Sequence, residues 1–586
     1  MLKKHFFVVS HLSISLFEKK DYSFIFLDEF IRLNFLKKSK KYNHDKIDGK
    51  DNYKSIIKES TYLEEVHCFL INKMTFELNK FHETKHDKFT WELFFGVELH
   101  FYIYRLYSLF KKFKENFDNE KLEFYLLSKN SFYTPLSFSE LRLYSAQDHF
   151  TEMMFSIYIQ DFLKLETNNK IDFEIEFRGF NEEKINYFKY LLRNIIFKIS
   201  KALNIKVIFL MCGVYFGRLL KYKLFLKLGF NEYFMDTFTF KKKSKVDYAA
   251  RYEIFEHKET LPDDFHEFLL KASNYLFPSL FIENFLENEQ RANQKLEKFK
   301  NLKFFVSENW ISNSENNFLK TLCKLKGVKS ITLEHNSIFR IYSNPLTKYF
   351  INYSDYFISL GWEGNETKII SGGLRNKFSF EKSHKPILDI LFVQGPVENE
   401  KYICSGIYGY AGENGLYRTV RFNSLFFNNL NSEILNKISV RKYPSRESSN
   451  FIEKSDYYKA PIRGVKFLDD KTNIKKLLKK SRLVIIDYLP STTFIESIFS
   501  NIPTILFFDK KSYELNQENE YFFNELIKVG IVQTDPITAS CHVEKIHLNP
   551  EKWWYSELVQ KAINKFKSEN FGSEQELLNA LQEFNY

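Results

Sequence analysis

A chain of 586 residues is several times the usual domain length, which excludes a single small domain and predicts two or three. With 44% hydrophobic and 27% charged residues it is neither a disordered tail nor a membrane bundle. The formal net charge of +11 is spread along the chain in short clusters such as "KKSKK" at 37–41, which fits a solvated surface or an anionic partner; no nucleic-acid-binding motif accompanies it.

Cys68, Cys212, Cys323, Cys404 and Cys541 are far apart with no paired spacing. That argues against a disulfide framework or a zinc site and fits a reducing compartment. The opening "MLKKHFFVVSHLSISLF" has the lysines and apolar run of a signal peptide, but His5, His11 and the serines interrupt it and no small-residue cleavage site follows. The longest apolar runs, such as "VIFLMCGVYF" at 207–216, are too short to span a bilayer. The expectation is a cytoplasmic protein able to sit peripherally at the inner face of a membrane.

Residues 62–117 carry apolar side chains at three- and four-residue spacing with few breakers, which predicts long helices. From about residue 205 short apolar runs alternate with helical stretches: "KVIFLM", "LKFFVS", "KSITLEH", "DYFISLGW" and "KIISGG". After Lys385-Pro386 a second series follows: "ILDILFVQGP", "KISVRKYP", "GVKFLD", "RLVIIDY", "PTILFFD" and "GIVQTD". Alternating strands and helices predict parallel sheets with helices on both faces. The expected fold class is α/β, with two doubly wound Rossmann-like domains and a helix-rich N-terminal region. The expected boundaries are 1–200 for that region, 201–384 and 385–560 for the two domains, and 561–586 for a helical tail, with a hinge at 378–387.

Ligands of such sheets bind beyond the carboxyl ends of the strands. "DYLPSTTFIES" from Asp487 places Ser491, Thr492 and Thr493 where a strand hands over to a helix, a position suited to phosphate. Thr493 and Glu496 equally have the T-x-x-E spacing of a capping box, which needs no ligand. "TLEHNS" puts Glu334 and His335 just past another strand, where the histidine with its adjacent carboxylate suits a general base, a contact to a donor phosphate, or a structural role. "ISVRKYPSRES" ends a strand at Arg441 and Lys442, with Arg446 close behind; cations there suit phosphate. "GIYGYAGENG" at 406–415 matches no nucleotide fingerprint and reads as a loop able to act as a lid. No D-x-D, G-x-S-x-G or H-E-x-x-H occurs.

Both series with these strand ends resemble a glycosyltransferase of the two-Rossmann-domain (GT-B) type. The chain is similar to a family of transferases associated with O-antigen and surface-polysaccharide gene clusters. The likeness runs through "LNKFHETKHDKFTWELFFG" (Leu78, Asn79, His82, Trp91, Gly96) and "FPSLFIENF" (Pro278, Glu283) to the His335 strand end. It continues in Asp487, Thr492 or Thr493, Glu496, "NIPTI" around Pro503, and the Trp553-Trp554 pair. More distantly the chain resembles CDP-glycerol and capsule transferases. It departs from related sequences in having Glu334-His335-Asn336 for Gln-His-Gly, and Arg441-Lys442-Tyr443-Pro444 where capsule enzymes place His-Pro after a base.

The resemblance implies transfer of a sugar or polyol phosphate from a nucleotide-activated donor to a glycan or lipid-linked acceptor, with no metal or other cofactor. It implies His335 and Glu334 as catalytic, and Arg441, Asp487, Ser491, Thr492, Thr493 and Glu496 as donor-binding. A nucleotide-sugar epimerase or hydrolase on the same fold, and a non-catalytic scaffold of polysaccharide assembly, are the alternatives.

Overall fold

A computed structural model describes residues 56–117, 122–173, 206–335, 345–398, 412–443, 464–510 and 517–585, with short gaps inside these spans, plus 5–10, 23–27 and a few isolated positions. The helix-rich first third contains α1 (Ile56–His82), α2 (Val97–Asn116), α3 (Phe138–Tyr144) and α4 (Asp148–Ile157). The apolar spacing gives α1 a buried stripe of Leu63, Val66, Leu70, Met74 and Leu78. Three short strands, His5–Val8, Ser23–Phe26 and Leu122–Glu123, form a parallel sheet that shares the same core.

The first series becomes β1 (Phe209–Cys212), α5 (Arg218–Leu228), β2 (Glu232–Met235), α6 (Asp264–Leu276), β3 (Phe304–Glu308), α7 (Ser314–Leu325), β4 (Lys329–Leu333), β5 (Tyr356–Ile358) and β6 (Ile369–Ile370). All pairings are parallel, in the order β6-β5-β4-β3-β1-β2. Leu210 and Phe305 join the helix-rich core on one face. Phe209, Met211, Val306 and Ile331 face the other way, onto Leu220, Leu224 and Leu228 of α5.

The second series becomes β7 (Leu388–Val393), α8 (Gly412–Asn428), β8 (Ile438–Arg441), β9 (Lys466–Leu468), β10 (Ser481–Ile486), α9 (Thr492–Phe499), β11 (Thr504–Phe507), β12 (Val532–Gln533), α10 (Pro536–Ile546) and α11 (Glu557–Asn570). Its parallel order β9-β8-β7-β10-β11-β12 is the dinucleotide-fold order, in which the chain reverses direction between β7 and β10. Leu391, Val393, Val484 and Ile486 pack towards α9 and α11, while Ile390, Phe392, Leu483 and Ile485 pack towards α8 and α10. Burial on both faces explains the unbroken apolar runs of these strands. Two doubly wound α/β sheets and a helix-rich N-terminal region match the expected fold class.

Four details differ from expectation or add to it. The edge strand β2, "EYFM", was not among the expected strands. The stretch 406–411 lies outside the described residues, and from Gly412 the "GENG" segment is the start of α8 rather than loop. The expected hinge at 378–387 is only partly described. Finally, the C-terminus serves both sheets: α11 packs on the second, and α12 (Glu574–Glu583) packs on the first through Leu577, Leu578 and Leu581. At the crossing Gly572 N–H donates to Leu360 O (2.7 Å), and a Cβ on Gly361, whose φ is +136°, would stand 1.8 Å from that nitrogen. Only glycine permits this backbone approach.

Candidate functional site

The strand order of the second sheet reverses between β7 and β10, and sheets of this order bind ligands at the carboxyl edge beside that reversal. Asp487, 1% exposed, follows β10 directly. Its Oδ1 accepts from Gly395 N–H at 2.5 Å and its Oδ2 from Asn423 Nδ2 at 2.7 Å. One carboxylate therefore ties the turn after β7 and the helix α8 to β10. A side chain at Gly395 would collide with Tyr488, its Cβ lying 2.2 Å from Tyr488 Cβ. Thr419 lies one turn before Asn423, and in a parallel crossover the amino end of the helix lies at the carboxyl edge of the sheet. Thr419 is buried, and its hydroxyl has no hydrogen-bond partner.

The three hydroxyls separate. Ser491 is buried with extended backbone and caps α9, its Oγ accepting from Phe494 N–H at 3.1 Å. Thr492 is exposed, and Thr493 is buried within 3.4 Å of the Tyr488 hydroxyl. This corrects the expected Thr493–Glu496 capping box: the helix begins at Thr492, so the capping position falls on Ser491. Glu496 pairs instead with Lys475 at 3.1 Å, and burial raises its carboxyl above the usual range against that cation. Arg441, at the end of β8, is 7% exposed and reaches the carbonyls of Thr472 and Lys442. Burial pushes the Tyr488 hydroxyl up, opposed by hydrogen bonds to Ser491 and Thr493 and by the charge of Arg441. Arg441, Asp487, Tyr488, Ser491 and Thr493 thus gather at one edge.

His335 and Glu334 stand at the carboxyl edge of the other sheet. Glu334 is buried, and its Oε2 accepts from Leu360 N–H (2.9 Å) and Trp362 Nε1 (2.7 Å), bracing the turn after β5. The carboxylate on the histidine is Glu308, the last residue of β3, which engages His335 Nδ1. Adjacent strands β3 and β4 bring them together, Glu308 pairing in register with Leu333. Glu308 is almost fully buried, whereas the His335 side chain keeps 20% of its surface.

Further along this edge, Ser314 at the start of α7 donates its hydroxyl to Glu98 Oε1 of α2 at 2.7 Å. Glu98 Oε2 has no partner, and burial pushes the Glu98 carboxyl up to about 8. Burial likewise raises neighbouring Glu315 to about 7. Glu98 borders a cavity of about 30 Å³ together with Arg105, Arg142 and Phe150, room for a water or two. Nothing local in "GVELHF" distinguishes Glu98 from a surface glutamate.

Residues 6–582 match the family model described as LIC12162 family transferase. The chain belongs to the LIC12162 family of transferases. No curated protein matches it significantly. Among solved structures, a TarM variant of S. aureus in complex with fondaparinux, alpha-GlcNAc-glycerol and UDP is 14% identical at a TM-score of 0.34, over 51% of this chain and 59% of that one. MurG of Acinetobacter baumannii is 11% identical at a TM-score of 0.34, over 64% of this chain and 99% of that one. The chain therefore spans a little over half of the TarM structure.

Within this LIC12162 transferase most of the residues that carried the resemblance outside the two edges are structural. Asn79 Oδ1 accepts from Thr84 Oγ1, His86 N–H and Trp91 Nε1. Glu283 clamps the fully buried Arg251 with two contacts, at 2.6 and 2.8 Å. Trp554 is fully buried and donates to Asn501 Oδ1 at 2.7 Å, while Trp553 donates to Val529 O at 2.9 Å, fastening the C-terminal helices to the second sheet. Described residues include no His, Cys, Asp and Glu cluster arranged to hold a metal ion.

Proposed function

We propose that the protein is a metal-independent glycosyltransferase, moving a sugar or polyol phosphate from a nucleotide-activated donor onto a surface-polysaccharide or O-antigen acceptor, glycan or lipid-linked. The observation that carries this reading is the reversal of strand order between β7 and β10, with the capped helix α9 and the buried Arg441 at the same carboxyl edge. The amino end of α9 carries partial positive charge, and together with Arg441 and the exposed Thr492 it would hold the donor phosphates. Thr419, whose buried hydroxyl otherwise has no partner, would meet a donor hydroxyl or phosphate oxygen. Asp487 acts by fixing the turn at Gly395, so its contribution to binding is one of position. Glu496 would reach the ribose only by sharing Lys475.

On the first sheet, Glu308 on Nδ1 would orient the imidazole of His335 as a proton acceptor. In the proposed step the acceptor hydroxyl attacks the anomeric carbon of a sugar donor, or the polyol-bearing phosphorus of a polyol phosphate donor; its proton passes to the His335 imidazole, and the bond from the attacked atom to the nucleotide's phosphate oxygen breaks. The negative charge leaves on the nucleotide, where Arg441 and α9 stabilise it.

The test is calorimetric titration of the purified chain with UDP-, GDP-, CDP- and CMP-linked donors, followed by product analysis with and without acceptor. Donor binding with acceptor-dependent turnover is expected. Absence of affinity for every donor ends the reading; turnover of donor alone replaces it with an epimerase or hydrolase. Binding without turnover favours a scaffold.

A further inference from the structure

Helix α5, "RLLKYKLFLKL", is apolar on two opposite sides. Leu220, Leu224 and Leu228 recur every fourth residue and are buried against the first sheet. Leu219, Tyr222 and Leu226 fall on the far side at helical spacing and are 72%, 70% and 80% exposed. No other described helix carries more than one large apolar residue above two-thirds exposure. Single exposed apolar residues are normal on a protein surface, but a stripe of three across two turns is a contact surface.

The charges around the stripe say what it contacts. At about 100° per residue, Lys223 and Lys227 fall along one side of it and Lys221 along the other, and α5 contains no acidic residue. An acidic side chain does enter from the packed element: Glu574 of α12 pairs with Lys223 at 2.6 Å, leaving the row still basic. Long basic side chains bordering outward Leu and Tyr suit an anionic lipid surface: the ammonium groups meet the headgroups while the apolar tips enter the acyl boundary. A protein partner would more often offer a groove for such a stripe, and the basic flanks would then need acidic rims. No described helix is long and apolar enough to cross a membrane, so a surface-lying helix is the form this contact takes.

We infer that the outward face of α5 is a membrane-docking surface that recognises anionic lipid headgroups through Lys221 and Lys227 and inserts Leu219, Tyr222 and Leu226. Because α5 follows β1, its amino end lies at the carboxyl edge of the first sheet. Docking there sets that edge against the bilayer, where a lipid-linked acceptor is delivered. The inference stands apart from the proposed transfer, because lipid binding needs neither donor nor acceptor.

The experiment is sedimentation of the purified full chain with vesicles of pure phosphatidylcholine and of equimolar phosphatidylcholine and phosphatidylglycerol, at low and high salt. Sedimentation with the anionic vesicles, weakened by salt, is expected. The triple variant Leu219→Ser, Tyr222→Ser, Leu226→Ser is expected to abolish it, with Leu558→Ser, equally exposed on α11, as the unaffected control. Lys221→Gln and Lys227→Gln are each expected to lower partitioning about fivefold. Failure of the native chain to sediment, or equal sedimentation of the triple variant or of the charge variants, overturns the inference. So does self-association that the triple variant removes while the native chain ignores vesicles, since the face would then join two copies of this chain.

Discussion

Glu308 and His335 stand at the ends of adjacent parallel strands, and the buried carboxylate engages Nδ1 of a ring that keeps part of its surface in solvent. A structural pair and a catalytic dyad share that geometry, so kinetics must separate them. For a dyad, His335→Ala lowers kcat by about 10²–10⁴-fold with little change in donor KM. Glu308→Gln keeps the volume but loses the charge that orients the ring, and lowers kcat on the order of tenfold or more. If both variants lose stability in urea and retain kcat, the pair is structural.

What the sequence made legible, and what it hid, follows from how each feature is encoded. Strands buried on both faces appear as apolar runs, so "ILFV" and "LVII" were readable without knowing their neighbours. The edge strand β2, "EYFM", is short and begins with a glutamate, so it lacks the apolar run that marks a buried strand. Glu308 was invisible as a partner because it closes one apolar run and meets the end of another only when β3 pairs with β4. Glu334, adjacent to His335 in sequence, points elsewhere, since successive residues of an extended strand face opposite ways. Asn423 sits in an ordinary helical pattern, and only the crossover from β7 brings it onto Asp487.

Asp487 fastens three elements, so its loss is felt first as stability. Asp487→Asn sets an amide NH₂ against the donors from Gly395 or Asn423, leaving at least one buried group unsatisfied. A cost of about 1–3 kcal/mol is expected in urea unfolding. Donor affinity falls with it because the Gly395 turn is released. A variant that loses affinity at unchanged stability would place Asp487 directly on the donor.

The hydroxyls of α9 divide their work in a way that stability and binding can separate. Ser491→Ala removes the cap from Phe494 N–H and is expected to cost about 1 kcal/mol in unfolding free energy. Thr492→Ala, at an exposed position, changes stability by less than about 0.5 kcal/mol. Its effect appears as a donor Kd raised roughly three- to tenfold, the worth of one hydrogen bond to phosphate. Equal donor affinity in Thr492→Ala and the native chain would remove this residue from the site.

Glu98 gives the fold a pH dependence whose sign is fixed by burial. Its carboxyl is raised from the ordinary value of 4.5 to about 8, so the native state holds a proton that the unfolded chain gives up. The stabilisation is complete below pH 4.5 and is lost progressively as pH rises through that value towards 8. Glu98→Gln keeps the volume and cannot ionise. Relative to the native chain it is therefore expected to gain stability between pH 5 and pH 8, by an amount of order a few kcal/mol at most. The measurement is urea unfolding of both proteins across that range. A constant difference between them would mean that Glu98 is ionised throughout, with its charge satisfied by Arg142.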